Sequence, residues 1–146
     1  MKFNENAYSL ISVLASLAII VLIVGLSLPH IRAYQINSRL SAEAREMAGN
    51  LRYTKQLSVT EQVVHGVEFD IEQDLYRIKS YGEATTTIRT ISLDSSVNLS
   101  EVSGLDDNRL KFNFYGGVRQ GGEVVLKNSD LSTKVIIKPS GYVKLE

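Results

Sequence analysis

The chain of 146 residues contains no cysteine, and it has only two prolines and two histidines. Without cysteine there can be no disulfide, no thiolate metal ligand and no cysteine nucleophile, and cysteine usage does not indicate a compartment. Neither sign of charge is in excess, because 16 lysines and arginines balance 16 aspartates and glutamates. No global field therefore favours nucleic acid or an anionic membrane surface. The length suits one domain of ordinary size plus an appendage.

Signatures of catalysis and of metal binding are also missing. His30 and His65 are too far apart in the pattern to form a pair, and each is predicted to be structural or solvent-facing. There is no G-x-S-x-G motif. The glycine-rich loop 116–122 lacks the Lys-Ser/Thr of a phosphate-binding loop, so we interpret it as a hairpin turn with positive φ. Asp106, Asp107 and Asn108 could supply oxygen ligands, but they lack the spacing of a calcium loop and predict a surface turn. We predict no enzyme, no cofactor and no metal site.

One long hydrophobic run is present, at the N-terminus. Residues 8–28 carry no charge and are apolar apart from serines and Tyr8. As a helix they would extend roughly 32 Å, which is enough to cross a hydrocarbon core of about 30 Å. A cleavable secretory signal would have a shorter run and a small-x-small cleavage site. A plain N-terminal anchor fits the length but leaves the polar leader 1–7 without a purpose. The short leader favours export of the rest of the chain.

Three features of this region resemble the type IV prepilins. A short polar leader ends in the small residue Ala7, the apolar run opens as Tyr-Ser-Leu-Ile-Ser from Tyr8, and Pro29 is the twenty-second residue counted from Tyr8. The resemblance implies that a prepilin peptidase cleaves between Ala7 and Tyr8 and that the new amine of Tyr8 is methylated. It further implies that membrane lipid holds the subunit until an inner-membrane assembly platform delivers it to other pilins or pseudopilins.

Two residues depart from the prepilin pattern. Ala7 stands where glycine is usual, and Ser12 replaces the glutamate at the fifth mature position. In the family that glutamate is thought to neutralise the amine of a neighbouring subunit within the bilayer, where an unpaired carboxylate is costly. Ser12 and Pro29 are thus candidate helix-assembly residues. Ser12 indicates a position at or near the filament tip, or else it is one more tolerated small residue in a membrane helix.

Beyond Pro29 the apolar pattern is that of an amphipathic helix. Its period predicts that the helix continues to about Thr60, with Met47 packed in the core. The positions of this stripe are Ile36, Leu40, Ala44, Met47, Leu51 and Ser58.

After Gln62 the period shortens to two, which indicates strands. The predicted strands are 63–69, 75–81, 85–93, 110–114, 123–126, 134–138 and 142–145. We therefore expect an α+β fold of the type IV pilin-like kind, in which a long N-terminal helix packs on a C-terminal antiparallel sheet or sandwich. The expected segments are a leader 1–7, a transmembrane half 8–29, an amphipathic half 30–61 and a β-rich domain 62–146.

Two stretches, 42–64 and 109–146, resemble the GspH/FimT branch of pseudopilins, whereas 82–109 has no clear match. The resemblance implies a minor pseudopilin, a structural subunit of a type II secretion, type IV pilus or competence DNA-uptake machinery. It also implies a single-pass protein of the cytoplasmic membrane, whose β domain lies outside the cytoplasm before assembly into an extracytoplasmic filament. The alternative from another class is a signal-anchored β-sandwich that binds a component of the cell envelope.

DNA binding is a further alternative. Some members of the FimT branch carry an arginine-rich G-R-x-R element near the C-terminus, and the corresponding residues here, 141–144, read Gly-Tyr-Val-Lys. The arginines are missing. Arg119, Lys138 and Lys144 are candidates for weak nucleic-acid contacts, which would be nonspecific and sensitive to salt.

Overall fold

A computed structural model describes the backbone from residue 5 to residue 146 and the side chains of residues 10–25, 35 and 37–146. The chain begins with one helix, α1 (Glu5–Glu61), and then forms eight strands. It divides into two compact units, with the boundary between Gln35 and Ile36. The helical backbone continues through Pro29, so this proline does not end α1.

Helix α1 ends one residue beyond the predicted position, at Glu61. Gln62 follows in the left-handed region with φ 56°, a conformation that commonly stops a helix. The Gln62 side-chain amide donates to the carbonyl oxygen of Val59 at 2.7 Å, which satisfies one acceptor of the last turn. This end directs the chain into the first strand.

The strands form two four-stranded antiparallel sheets. Sheet A has the order β3-β2-β1-β5 and sheet B the order β4-β6-β7-β8. The strands are β1 (His65–Asp70), β2 (Leu75–Tyr81), β3 (Thr85–Ser92), β4 (Asn98–Ser103), β5 (Arg109–Phe112), β6 (Gly122–Lys127), β7 (Ser132–Ile137) and β8 (Val143–Leu145). The expectation of a long helix followed by an antiparallel β domain is confirmed.

The sequence pattern missed β4. This strand has only two apolar residues, Leu99 and Val102, and its register shifts between Leu99 and Glu101. The bulge breaks the alternation of period two on which a strand prediction depends. The prediction for strand 110–114 was also too long, because β5 ends at Phe112 and the chain turns at Asn113.

The predicted helical stripe lies in the core of the domain. Leu40, Ala44, Met47, Leu51 and Ser58 are all buried, whereas the side chain of Ile36 lies outside the described ones. The buried hydroxyls of Thr54 and Ser58 donate to the backbone carbonyls four residues earlier. Local bonds of this kind make polar side chains compatible with an apolar interior. Met47 is a core residue, as predicted.

Candidate assembly surfaces

The residues of the predicted leader junction belong to the first turns of α1. Ala7 and Tyr8 have helical backbone, but their side chains, like that of His30, lie outside the described ones. Cleavage and methylation at this junction are therefore still predictions.

Residues 10–25 of α1 present an apolar surface on every side. All sixteen side chains are exposed, including Ser12 and eleven large hydrophobic residues. These are Leu10, Ile11, Val13, Leu14, Leu17, Ile19, Ile20, Val21, Leu22, Ile23 and Val24. A helix that is hydrophobic all round has no face suited to water. Within the described part of the chain, no helix is long and apolar enough to cross a membrane.

Polar contacts attach α1 to sheet A. The Asn50 amide donates to the Tyr76 hydroxyl at 2.7 Å, and both side chains are buried. Burial raises the pKa of Tyr76 to about 12, and the bond from Asn50 opposes this shift only in part. Burial thus keeps the phenol neutral, and the bond from Asn50 attaches it to the helix.

A second set of contacts joins α1 to the segment that leaves β3. The Arg39 guanidinium lies 3.3 Å from the Asp94 carboxylate, and the Asp94 amide donates to Glu43 at 3.2 Å. Donation from the Ser96 hydroxyl and amide lowers the pKa of Asp94, with a smaller contribution from Arg39. Burial raises the pKa of Glu43. These bonds fix the start of the connection to sheet B.

On its other side α1 contacts the C-terminal strand and the preceding turn. Arg52 donates to the Val143 carbonyl at 3.2 Å, and the Lys55 ammonium donates to the carbonyls of Ser140 and Gly141 at 3.3 Å each. Gly141 has φ 72° and packs so closely on Gly116 that an added Cβ would overlap the Gly116 carbonyl oxygen. The turn before β8 and the glycine loop therefore meet over the helix.

His65 has a structural role. Its side chain is fully buried, and Nδ1 lies 2.9 Å from the Val63 carbonyl oxygen. Nε2 lies 3.1 Å from a Glu61 carboxylate oxygen but makes no hydrogen bond. The His65 amide donates to the Ser58 hydroxyl at 3.0 Å. The ring thus closes the junction between α1 and β1. No cluster of three metal-binding side chains occurs among the described residues.

The predicted surface turn at 106–108 is present, but the glycine loop 116–122 is not a hairpin turn, because it joins β5 of sheet A to β6 of sheet B. Residues 106–108 form a surface turn in which Asp107 and Asn108 have φ near 52°. In the glycine loop only Gly116 has positive φ, at 81°. At position 121 glycine is needed because the backbone packs closely on β7: an added Cβ would lie 2.6 Å from the Ile137 carbonyl oxygen.

The three candidate nucleic-acid contacts are exposed, but they do not form one free basic surface. Lys144 is paired with Glu146, and its pKa is raised by that hydrogen bond. On the same sheet Lys134 is paired with Glu123 at 2.6 Å. The residues next to Arg119 and Lys138 are joined by a backbone bond, in which Val118 donates to the Pro139 carbonyl at 2.9 Å. Within the described residues Arg119 and Lys138 have no ion-pair partner.

The fold is similar to solved structures of pilus-like subunits. The minor pseudopilin EpsH from the type 2 secretion system of Vibrio cholerae aligns with a TM-score of 0.65 at 12% identity, covering 74% of this chain and 96% of EpsH. The type IV minor pilin FimU of Pseudomonas aeruginosa strain PAO1 aligns with a TM-score of 0.62 at 13% identity, covering 77% of this chain and 92% of FimU. No family model and no curated protein match the sequence. The predicted pilin-like fold of the GspH/FimT kind is confirmed.

Proposed function

We propose that this chain is a minor pseudopilin, a non-enzymatic structural subunit of a type IV pilus-like filament. The observation that carries the proposal is a domain with the fold of EpsH and FimU that continues the same helix as an apolar segment with exposed side chains. Such a segment needs an apolar environment, and the helices of neighbouring subunits or membrane lipid would supply it. The machine is a type II secretion, type IV pilus or competence apparatus.

The steps before assembly follow from the N-terminal sequence. A prepilin peptidase removes residues 1–7, and the amine of Tyr8 becomes the mature, methylated N-terminus. The apolar run 8–28 then anchors the subunit once across the cytoplasmic membrane, with the β domain outside the cytoplasm. An inner-membrane assembly platform moves the helix from lipid into the filament, where contacts with other pilins replace lipid contacts.

Ser12 suggests a position at or near the tip. A shaft subunit needs a carboxylate at this position to meet the amine of a neighbour, whereas a tip subunit has no subunit ahead of it. The serine is exposed within the apolar segment and supplies no charge. The tip position therefore suits a chain that lacks this carboxylate.

Mass spectrometry of the protein from its native membrane tests the proposal. We expect a mature N-terminus at Tyr8 that carries one added methyl group. An intact leader would instead support the signal-anchored β-sandwich that binds a component of the envelope. Cleavage near residue 30 with release of a soluble domain would contradict both interpretations.

Direct DNA binding is the weaker proposal for this domain. Lys134 and Lys144 are already paired with carboxylates, and the G-R-x-R element is absent. Binding through Arg119 and Lys138 alone would be lost at moderate salt. Titration of labelled single-stranded DNA at two salt concentrations measures it.

A further inference from the structure

Three large aromatic side chains are exposed on the two segments that meet beside the last turns of α1. Phe114 is 42% exposed, Tyr115 is 82% exposed and Tyr142 is 57% exposed. The rings of Phe114 and Tyr115 contact each other, with their centroids 4.5 Å apart. Exposed apolar groups that lie together mark interaction sites, and tyrosine and phenylalanine are enriched at the centre of protein interfaces. We call these three residues the aromatic knob.

The loop that carries Phe114 and Tyr115 is fixed by its own hydrogen bonds. The side-chain oxygen of Asn113 accepts from the amides of Tyr115 and Gly117, at 3.0 Å each. The Asn113 amide donates to the Gly117 carbonyl at 2.9 Å, and the Gly116 amide donates to the Asn113 carbonyl at 2.8 Å. A loop that is already ordered loses little conformational freedom when a partner binds. The two rings are therefore held ready for a contact.

The turn that carries Tyr142 is fixed against the same loop. The Lys138 amide donates to the Tyr142 carbonyl at 2.9 Å, and the Gly141 amide donates to the Lys138 carbonyl at 2.8 Å. Gly141 packs on the carbonyl oxygen of Gly116. These two glycines are the chain neighbours of Tyr142 and Tyr115, so their contact places the two tyrosine-bearing segments side by side. One ordered scaffold thus presents all three aromatic residues.

The charges carried by these two segments have one sign. Residues 113–120 and 138–144 contain no aspartate and no glutamate, but they contain Arg119, Lys138 and Lys144. Lys144 is already paired with the side chain of the last residue. Lys138 is exposed and has no ion-pair partner in the described part of the chain. A partner that fits the aromatic knob therefore offers carboxylates around an apolar pocket.

A second copy of this chain does not offer such a pocket. The groove beside β5 has apolar residues in its lining, but it also has three cations, which are Arg109, Lys111 and Arg119. Its carboxylates are engaged within the domain, because Asp107 lies 4.0 Å from Arg109 and Asp106 accepts from Gln120 at 3.0 Å. The groove between β4 and the β6–β7 turn is lined by serines, asparagines and Lys127. Like charges oppose docking of the knob at either place.

The arrangement of the rings favours a protein pocket over a single-stranded nucleic acid. The planes of Phe114 and Tyr115 are tilted by 53° and the rings contact each other. Successive bases need open ring faces on which to stack. Two rings that contact each other at this tilt instead form a compact projection, which suits insertion into a concave apolar site.

We propose that the aromatic knob docks in an apolar pocket, rimmed by carboxylates, on a different pilin-like subunit. Tyr115 is the central anchor because it is the most exposed of the three side chains, and Lys138 faces the carboxylates of the partner. That the partner is pilin-like rests on the proposed function, in which other pilins are the neighbours of this chain. The β domain then selects its neighbour through the knob, while the apolar segment of α1 supplies a contact without such selectivity.

Site-specific photo-cross-linking in the native cells tests the docking. The photoreactive amino acid p-benzoylphenylalanine replaces Tyr115 in the full-length chain. We expect one main product on illumination, in which the partner is a different protein with a prepilin leader and the cross-linked peptide of its globular domain contains aspartate or glutamate. The same probe in place of Leu131, which is 50% exposed in the β6–β7 turn, is the matched control and should not give this product.

Substitutions in the chain that carries the probe at position 115 provide the second measurement. Tyr142→Ala should lower the cross-linked fraction about tenfold, as loss of an interface anchor does. Lys138→Glu should lower it about fivefold, and replacing the cross-linked carboxylate of the partner by lysine should then restore it. Leu131→Ala, with similar exposure, should leave the fraction unchanged.

Four results would each overturn the docking: no product, a product with a second copy of this chain, a product that nuclease removes, or a yield that neither Tyr142→Ala nor Lys138→Glu changes. Mass analysis of the N-terminus in the same samples separates this proposal from the proposed function. A mature Tyr8 terminus without the expected product would refute the docking alone, whereas an intact leader would refute the proposed function.

Discussion

At the scale of single residues, the bond between Asn50 and Tyr76 is the clearest determinant of how the helix attaches to sheet A. Tyr76→Phe removes the hydroxyl that accepts from the buried Asn50 amide and leaves that bond unmade. We expect the free energy of unfolding to fall by roughly 1 to 2 kcal/mol. Urea unfolding of the full chain in detergent measures the change. The control is Tyr53→Phe on the exposed side of α1, which should change stability little.

The same tyrosine makes stability depend on alkaline pH. In the folded protein its pKa is about 12, whereas the unfolded phenol titrates near 10. Between these values the unfolded chain loses the proton that the folded chain keeps, so stability is intact below pH 10 and falls as the pH rises towards 12. The loss should be roughly 2 to 3 kcal/mol. A Tyr76→Phe chain should show a flatter decline, and equal slopes for the two proteins would contradict this assignment.

Substitution by alanine should change the stability of the protein in opposite directions at two glycines. Gly141 has positive φ and packs on the Gly116 carbonyl, so an added Cβ is both strained and obstructed. Gly141→Ala should cost at least roughly 2 kcal/mol. Gly49 is an exposed helical residue with no neighbour within 4 Å of an added Cβ. Gly49→Ala should stabilise by about 0.5 to 1 kcal/mol. Thermal unfolding of both variants checks the signs, and a stabilised Gly141→Ala chain would disprove the packing argument.

At the scale of elements, the periodic parts of the sequence were predictable and the irregular parts were not. The buried stripe of α1 follows from a spacing of 3.6 residues, and most strands follow from alternation. The pattern could not show β4, whose bulge interrupts the alternation at Leu99. Nor could it show that Leu105 and Val118, which are separated in sequence, line one groove beside β5 in the folded domain. The strand at 85–93 was predicted, but the pattern did not show that residues 82–90 are exposed on both faces.

The outer part of β3, residues 85–90, is expected to be the least stable part of sheet A. Its residues are exposed on both faces, whereas Val67 in β1 and Ile78 in β2 are fully buried. Segments with few buried contacts open locally at low free energy. Amide hydrogen exchange should therefore be fastest in residues 85–90 and slowest in β1. Protection of residues 85–90 as strong as that of β1 in dispersed, detergent-solubilised chains would contradict this prediction.

At the scale of the whole molecule, the two units differ in the exposure of their apolar side chains. Among the described side chains, the buried core residues lie between Leu40 and Val143, within the unit 36–146. The apolar side chains of residues 10–25 take no part in that core. In the proposed filament, lipid or the helices of neighbouring subunits would bury them, and assembly would then draw its free energy from this segment. The domain is then free to determine position and partner through its surface.

The last prediction concerns where in a filament this chain is placed. If it caps the tip, a carboxylate introduced by Ser12→Glu finds no amine ahead of it, and an unpaired charge among apolar helices costs about 3 kcal/mol. Filament number should then stay the same or fall, and the ratio of this chain to the major subunit should not rise. Quantitative mass spectrometry of purified filaments measures that ratio. Ser16→Glu, one turn further along the same exposed segment, controls for the general cost of a charge. A higher ratio with Ser12→Glu alone would show that the carboxylate has found a partner amine in the shaft, and the tip assignment would be wrong.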